Sequence, residues 1–206
     1  MTGIISSNKG KYAEYGLIDA NKELMFTPDT DAQKLMDWII PQIPQDDSIL
    51  EPFKGNGAFY DKIPSSNPKF YCEIDDGIDF FDYDKKHDWA ISNPPFRVMV
   101  RGEDPTLNYK STRTLKKALN LPDGWVRLNA FVPIINRTME ICDKGFFYLV
   151  NHKLWSSLTV KRLREWSENG WVVSAIKIIE IKKWYGRYYM IKFEKNGKSI
   201  FDFGTI

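Results

Sequence analysis

The segment Asn93-Pro94-Pro95-Phe96 carries the side chains of this sequence that are best suited to chemistry. It closely follows the apolar run 89–91, which predicts a short buried strand. The two prolines fix φ and supply no backbone N–H, and the first of them also restricts the residue before it. The end of one strand should therefore hold together an amide, a backbone carbonyl and an aromatic ring. Such a set of groups can bind and orient a planar group that bears an amino nitrogen.

A second candidate feature lies upstream, where a predicted strand ends in a carboxylate and a glycine turn. Residues 48–53 read as a buried strand that contains Glu51, and the loop 54–57 follows with Gly55 and Gly57. Glycines let a backbone approach a ligand without a Cβ clash. The loop lacks the Lys-Ser/Thr ending of a phosphate-binding loop. A carboxylate beside it suits the amino end of an amino-acid-like ligand, whereas an ordinary strand-to-helix turn is the plainer interpretation.

A third candidate is Glu73, which ends the next predicted strand, 69–73. An acid after the second strand of a Rossmann-like sheet ordinarily accepts hydrogen bonds from two ribose hydroxyls. The alternative is an acid on the surface with no ligand.

Together these motifs resemble those of the S-adenosylmethionine-dependent DNA adenine-N6 methyltransferases of the Asn-Pro-Pro-Tyr/Phe type. Residues 51–57 are similar to the family's Asp/Glu-Pro-Phe-x-Gly-x-Gly cofactor motif, and 77–81 resemble its adenine-binding Gly-x-Asp-Phe element. Residues 26–28 resemble the element that precedes the first strand and closes over the carboxylate end of the cofactor. The resemblance is specific over 24–96 and looser to about residue 195, and its motif order is that of the group whose cofactor motif comes first.

The resemblance implies S-adenosylmethionine as the cofactor and assigns residues to it. Glu51 and the glycine turn should line the methionine part, Asp79 should accept from the adenine amino group, and Phe80 should pack on the adenine ring. The full set that it implies for the cofactor is Thr27, Pro28, Glu51, Phe53, Gly55, Gly57, Glu73, Asp79, Phe80 and Asn93. The catalytic turn that it implies is Asn93, Pro94, Pro95 and Phe96.

Strands that alternate with helices predict an α/β fold with a mostly parallel sheet. The helices are expected near 27–40, 128–142 and 159–169, and the later strands at 145–151, 171–181 and 187–194. The last two strands are close enough in sequence for an antiparallel hairpin. The resemblance makes this a Rossmann-like class I methyltransferase fold. The interval from Glu73 to Asp79 is too short for the usual helix and third strand, as in short, phage-type members.

The length of 206 residues suits one domain, expected over 1–206 with an N-terminal arm, 1–24, and a basic insertion, 97–127. A hydrophobic content of 43% and a charged content of 27% are typical of globular proteins. The chain shows neither an apolar stretch of about 18 residues nor the pattern of a signal peptide, so we expect no membrane association.

The two cysteines, Cys72 and Cys142, lie in apolar runs and indicate buried free thiols in a reducing, cytoplasmic compartment, of bacterial, phage or viral type. His87 and His152 lack neighbours of ligand type, so we predict no metal site. The sequence gives no indication of the oligomeric state.

Charge divides the chain into an acidic and a basic half. Residues 1–96 hold 9 basic and 17 acidic residues, whereas 97–206 hold 20 basic and 10 acidic residues. Solvated faces are one interpretation; the other is a first half built around a cationic small molecule and a second half facing a polyanion. We therefore expect a nucleic acid as the partner, and the resemblance implies that this nucleic acid is DNA. The expected substrate contacts are Phe96, Arg97, Arg101, Lys110, Arg113, Lys116, Lys117, Trp184 and Tyr185.

Several alternatives remain open at this point. Enzymes of the same fold methylate guanine N2 or adenine N6 in RNA, or the side-chain amide of a protein glutamine, because all of these targets are planar nitrogens. A cofactor-binding accessory subunit with a degenerate site is a non-enzyme alternative, against which the intact Asn93 and Phe96 argue. For Trp184 and Tyr185, packing within the hairpin competes with contact to a target base.

Overall fold

The computed structural model describes residues 18–19, 24–95, 98–100, 126–128, 131–182, 184 and 187–201. The α-helices of these parts are α1 Asp29–Ile39, α2 Phe131–Ile141, α3 His152–Trp155 and α4 Val160–Glu168. The strands are β1 Ile18–Asp19, β2 Leu24–Met25, β3 Ile49–Glu51, β4 Lys69–Tyr71, β5 His87–Ser92, β6 Val98–Val100, β7 Val126–Leu128, β8 Cys142–Asn151, β9 Trp171–Ile179 and β10 Tyr188–Lys195.

A six-stranded sheet in the order β4-β3-β5-β8-β10-β9 forms the centre of the fold. The first four strands are parallel, and β10 runs antiparallel to both of its neighbours. Leu50 of β3 pairs with Phe70 on one side and with Ala90 on the other. The mostly parallel sheet and the antiparallel pairing of β9 with β10 confirm what the sequence predicted.

Apolar layers cover both faces of the sheet. Helix α1 buries Ala32, Leu35, Met36 and Ile39, which recur at helical spacing and pack with β-strand residues such as Phe147. On the other face, helix α2 buries apolar residues against a cluster that includes Leu50, Phe146 and Tyr148. Strands buried on both faces read as continuous apolar runs rather than as an alternation. This explains why β8 could be recognised from its sequence.

The region between β4 and β5 is reduced, as the sequence predicted. Every residue from 72 to 86 is described, and the segment holds one 3₁₀ turn, Ile74–Asp76, but neither an α-helix nor a further strand. Gly77 ends the turn with φ of +78°, and an isolated bridge pairs Glu73 with Ile78. The chain thus passes from β4 to β5 by a short route.

Two predicted boundaries were wrong. The helix expected from residue 128 begins at Phe131, because Val126–Leu128 pair antiparallel with Val98–Val100 as strands β7 and β6. The following strand begins at Cys142 instead of residue 145, directly after the helix ends. Apolar residues at 126 and 128 fit a strand as well as a helix, so local periodicity did not separate the two.

The remaining expectations have different outcomes. Cys72 and Cys142 are buried free thiols, as predicted. Of the expected N-terminal arm, 1–24, the described residues 18–19 pair with 24–25, and the rest lies outside the described parts. Within the described parts, no helix combines the length and the apolar character needed to cross a bilayer. The single-domain organisation stays a prediction.

Candidate functional site

The carboxyl ends of β3 and β5 meet at the point where the order of the sheet reverses. From β3 the chain passes outward to β4 and then returns to the other side of β3 as β5. In open α/β sheets, ligands bind in the crevice outside the carboxyl ends of strands at such a switch point. Glu51 is the last residue of β3, and Asn93 directly follows β5. The fold therefore brings two of the predicted motifs to one crevice.

The glycine turn after β3 has a backbone that only glycine adopts readily. Gly55 and Gly57 have φ of +52° and +81°. A Cβ at Gly55 would lie 3.1 Å from Cε1 of Phe26, and a Cβ at Gly57 would lie 2.9 Å from Oδ2 of Asp61. The ring of Phe26 is thus packed on the glycine turn. Its neighbours Thr27 and Pro28 are buried.

Glu73 is joined to the glycine turn through its carboxylate. The backbone N–H of Gly55 donates to Oε2 of Glu73 at 2.7 Å, and the N–H of Asp75 donates to Oε1 at 3.3 Å. The N–H of Lys54 also donates to the carbonyl of Cys72 at 3.1 Å. Each carboxylate oxygen can accept more than one hydrogen bond. Glu73 is half-buried, so it can hold the turn and still accept from a ligand hydroxyl.

Glu51 is the most unusual ionisable group of the site. Its side chain is buried, and its Oε2 has no hydrogen-bond partner among the described residues. Burial raises the pKa of Glu51 well above its ordinary value, and the nearby carboxylates of Asp61 and Glu73 raise it further. The Tyr60 backbone N–H and Lys54 act in the opposite direction. A buried acceptor without a partner is costly, and a cationic donor from a ligand would satisfy it.

Asp79 and Phe80 are both buried. The N–H of Phe81 donates to Oδ1 of the buried Asp79 at 2.9 Å. The ring of Phe80 is buried, with its centroid 4.9 Å from that of Phe53 and 5.3 Å from that of Phe81. The rings of Phe53 and Phe80 therefore pack against each other in the core. Contact of Phe80 with an adenine ring stays a prediction.

The Asn-Pro-Pro turn leaves the central strand β5, whose last four residues are buried. Asn93 and Pro95 are half-buried, and Pro94 is buried. Oγ of Ser92, just before the turn, lies 3.5 Å from the carbonyl oxygen of Phe53. The turn after β5 and the segment after β3 are thus neighbours in space.

The structure favours hairpin packing for the described aromatic residues near the last strands. Trp184 is 5% exposed, and its ring centroid lies 4.8 Å from that of the buried Tyr188. Tyr189 stacks on Trp155 with centroids 5.3 Å apart. The predicted contact between Trp184 and a substrate does not fit this burial, because the ring already contributes to the core on the α1 side of the sheet.

The remaining predicted substrate contacts lie outside the described residues. They are Phe96, Arg97, Arg101, Lys110, Arg113, Lys116, Lys117 and Tyr185. The described ends of the basic segment, β6 and β7, pair in the register Val98 with Leu128 and Val100 with Val126. The segment therefore begins a few residues after Asn93, and its two described ends are paired with each other.

Sequence reasoning missed Asp61, whose carboxylate lies against Gly57. Asp61 belongs to the 3₁₀ turn Tyr60–Lys62, and no motif spacing points to it. Asp61 comes close to the glycine turn because its backbone N–H donates to the carbonyl of Gly57, which folds the 3₁₀ turn back onto that residue. Among the described residues, no group of three or more His, Cys, Asp or Glu side chains could hold a metal ion.

No protein-family model matches the sequence, and no curated protein is similar to it. Solved structures do resemble the fold. A Listeria monocytogenes protein described as a class I S-adenosylmethionine-dependent methyltransferase superimposes with a TM-score of 0.61 and 14% identity, covering 95% of this chain and 70% of its own. A Pyrococcus horikoshii protein described as an RNA methyltransferase gives a TM-score of 0.53 and 15% identity, covering 92% and 98%.

A methyltransferase subunit of a type I restriction-modification system from Streptococcus thermophilus has a TM-score of 0.54 and 13% identity. The match covers 84% of this chain and 44% of the subunit. These likenesses establish that the chain has the Rossmann-like fold of class I methyltransferases.

Proposed function

We propose that this protein binds S-adenosylmethionine and transfers its methyl group to the N6 amino group of adenine in DNA. One observation carries the proposal: the buried carboxyl of Glu51 and the glycine turn lie at the strand end beside the Asn93-Pro94-Pro95 turn. The first can hold a cationic, amino-acid-like cofactor, and the second can hold a planar amino group. Methyl transfer to a planar nitrogen needs both.

The described residues fit S-adenosylmethionine. The partnerless Oε2 of Glu51 would accept from the ammonium group of the methionine part, and the backbone of the glycine turn would lie beside the ligand. Glu73 would accept from the ribose hydroxyls, and Asp79 would accept from the adenine amino group. Bound in this way, S-adenosylmethionine would supply an electrophilic methyl group on sulfonium.

The Asn93-Pro94 pair would act on the nucleophile. The lone pair of adenine N6 is delocalised into the ring, which makes the amino group a poor nucleophile. Hydrogen bonds from this amino group to Oδ1 of Asn93 and to the Pro94 carbonyl would draw the nitrogen toward tetrahedral geometry and localise the lone pair. The rate would come mainly from positioning and from preorganised dipoles.

A base within a duplex cannot reach the end of β5, so the target adenine must be flipped out or already single-stranded. Phe96 would stack on the extruded base. The basic composition of 97–127 would supply phosphate contacts next to the turn. The element 26–28 and the basic second half favour DNA over a protein substrate.

Label transfer to three kinds of acceptor tests the proposal. Tritium-labelled S-adenosylmethionine is supplied with DNA, RNA or a protein acceptor that contains glutamine. The expected result is incorporation into DNA that exceeds incorporation into RNA and protein. Preferred labelling of RNA or protein would move the assignment to one of those substrates. Cofactor binding without any transfer would indicate an accessory subunit.

Glu73→Ala should weaken the binding of S-adenosylmethionine by about 1–3 kcal/mol, because ribose donors lose their acceptor and the Gly55 N–H loses its partner. Calorimetric titration measures the change in Kd. Asp76→Ala is the matched control, since Asp76 is an exposed acid of the same short turn and should leave Kd unchanged. Wild-type affinity in Glu73→Ala would remove Glu73 from the site.

Sequence preference in DNA should be weak or very short. Only residues 97–130 separate the catalytic turn from helix α2, and the part 97–127 holds seven basic residues against three acidic ones. Such a segment can contact phosphates, which gives salt-dependent affinity with little reading of bases. N6-methyladenine mapped on a randomised DNA pool measures the preference. Methylation confined to one motif of four or more defined bases would contradict this expectation.

A further inference from the structure

The two ends of the central sheet differ in charge. Residues 46–92, which include β3, β4 and β5, contain 11 acidic and 5 basic residues. Residues 152–201, which include helix α4 and strands β9 and β10, contain 11 basic and 4 acidic residues. A polyanion bound at the turn after β5 is therefore attracted toward β10 and β9 and repelled from β4.

Strand β10 brings Tyr189 to the level of that turn. Ser92 of β5 pairs with Tyr148 of β8, and Tyr148 pairs with Ile191 of β10. Because β10 runs antiparallel to β8, Tyr189 lies two residues beyond Ile191 toward the edge of the sheet at which β5 ends. Neighbouring strands are about 4.8 Å apart, so two spacings place Tyr189 about 10 Å across the sheet from the line of β5.

Tyr189 belongs to a group of aromatic rings that are not fully buried. It stacks on Trp155 of α3 with ring centroids 5.3 Å apart, and Trp155 contacts Phe201 with centroids 6.2 Å apart. These three side chains are half-buried, whereas Trp184 and Tyr188 near the same strand are buried. The three rings pack on one another and still present aromatic surface to solvent.

Ile178 of β9 extends this surface. It is the cross-strand partner of Tyr189, and paired residues of neighbouring strands project from the same face of a sheet. Ile178 is 70% exposed, so the described residues leave it largely uncovered. The link between β9 and β10 adds the exposed cations Lys182 and Arg187. Aromatic rings beside cations are the combination that binds single-stranded nucleic acid, through base stacking and phosphate contacts.

We propose that Trp155, Ile178, Tyr189 and Phe201 form a platform that binds the nucleotides next to the target adenine. The DNA strand then runs from the turn after β5 across the ends of β8 and β10, on the basic side of the sheet. Stacking on such a platform tolerates any sequence, because every base has a π-face. This inference rests on the proposed function, from which it takes DNA as the ligand.

Photo-crosslinking of the wild-type chain locates the strand. Single-stranded oligonucleotides with one adenine in a thymine tract carry 5-iodouracil at a single position, which is moved stepwise along both sides of the adenine. Each is irradiated with the protein and S-adenosylhomocysteine, and the attached peptides are identified by mass spectrometry. Attachment to Trp155, Tyr189 or Phe201 from positions on one side of the adenine is expected. Attachment to none of these rings from any position would overturn the proposal.

Ile178→Asp tests the platform through charge. The substitution places a carboxylate at an exposed position, so it should raise the KM for DNA about fivefold or more by opposing stacking and phosphate contact. The turnover number and the Kd of S-adenosylmethionine should stay within about twofold of the wild-type values. Phe70→Asp is the matched control, because it adds the same charge at another exposed apolar residue, on β4 at the opposite edge of the sheet. The control should keep the wild-type KM.

The outcomes separate the two proposals. Failure of the wild-type protein to methylate DNA would contradict the proposed function. Methylation with an unchanged KM in Ile178→Asp, or with an equal rise in Phe70→Asp, would overturn the platform alone. A wild-type dimer in sedimentation that Ile178→Asp dissociates would assign this surface to a second copy of the chain, which would also overturn the platform.

Discussion

Asn93→Ala should lower the turnover number of methyl transfer by about two to three orders of magnitude, with cofactor affinity changed less than about threefold. The side-chain oxygen of Asn93 is proposed to accept from the target amino group as its nitrogen becomes tetrahedral, so the contact matters mainly in the transition state. Removing one preorganised group of this kind typically costs a factor of this size. Single-turnover label transfer measures the rate, and calorimetry measures the Kd of S-adenosylmethionine.

Asn169→Ala is the matched control for this variant. Asn169 ends helix α4 before β9, at the edge of the sheet opposite the carboxyl ends of β3 and β5. The control should keep both the rate and the Kd of the wild-type protein. Wild-type turnover in Asn93→Ala would refute the catalytic role of Asn93. A loss confined to cofactor affinity would reassign Asn93 to cofactor binding.

Glu51→Gln should raise the Kd of S-adenosylmethionine tenfold or more. Each factor of ten corresponds to a loss of about 1.4 kcal/mol of binding free energy. The variant keeps an acceptor oxygen for the Tyr60 backbone N–H, but it cannot become a carboxylate when the ammonium group binds. A charged partner in a buried hydrogen bond contributes more than a neutral one. Calorimetric titration of variant and wild-type protein measures the difference, which should grow as pH rises.

The same substitution should stabilise the protein without its cofactor. The pKa of Glu51 is raised in the folded state, so between its ordinary value of 4.5 and the raised value the folded chain binds more protons than the unfolded chain. The free energy of unfolding therefore falls as pH rises through this window, and Glu51→Gln removes that loss. Tm of the variant should exceed that of the wild-type protein by about 2–4 °C per kcal/mol gained.

The stability difference has a specific pH dependence. It should be small near pH 4.5 and larger at pH 7 to 8, and saturating S-adenosylmethionine should reverse it, because the cofactor then stabilises the wild-type protein more. Thermal unfolding at these pH values, with and without the cofactor, provides the measurement. A variant that is less stable than the wild-type protein at pH 8 without cofactor would show that Glu51 is a structural group.

Much of the fold could be predicted from the sequence because its strands are short apolar runs bounded by glycine, proline or polar residues. The pairing of β9 with β10 was also predictable, since the two strands are close in sequence. The insertion of β10 between β8 and β9 was not. Strand β10 pairs along its length with β9 on one edge and with β8 on the other. Nothing in the local sequence of β10 selects β8 as this second neighbour. That choice is made by long-range packing in the core.

The candidate site was predictable to a similar extent. Glu51, Glu73 and Asn93 stand at strand ends, where the topology of a parallel sheet brings groups together. Asp61 was not predictable, because its carboxylate reaches Gly57 through a 3₁₀ turn with no sequence signal. For Trp184 the sequence left contact with a base and packing in the hairpin both open, because an aromatic residue near a hairpin fits a stacking surface and a core position equally well; its burial favours packing.

The identity of the methylated nucleoside tests the central claim most directly. DNA is incubated with the purified protein and S-adenosylmethionine, digested to nucleosides and analysed by mass spectrometry, with the Asn93→Ala variant and an RNA substrate run in parallel. The proposed chemistry predicts N6-methyladenine from DNA with the wild-type protein and its near absence with the variant. A methyl group found on guanine N2 of RNA, or DNA left unmethylated while the cofactor is bound, would contradict it.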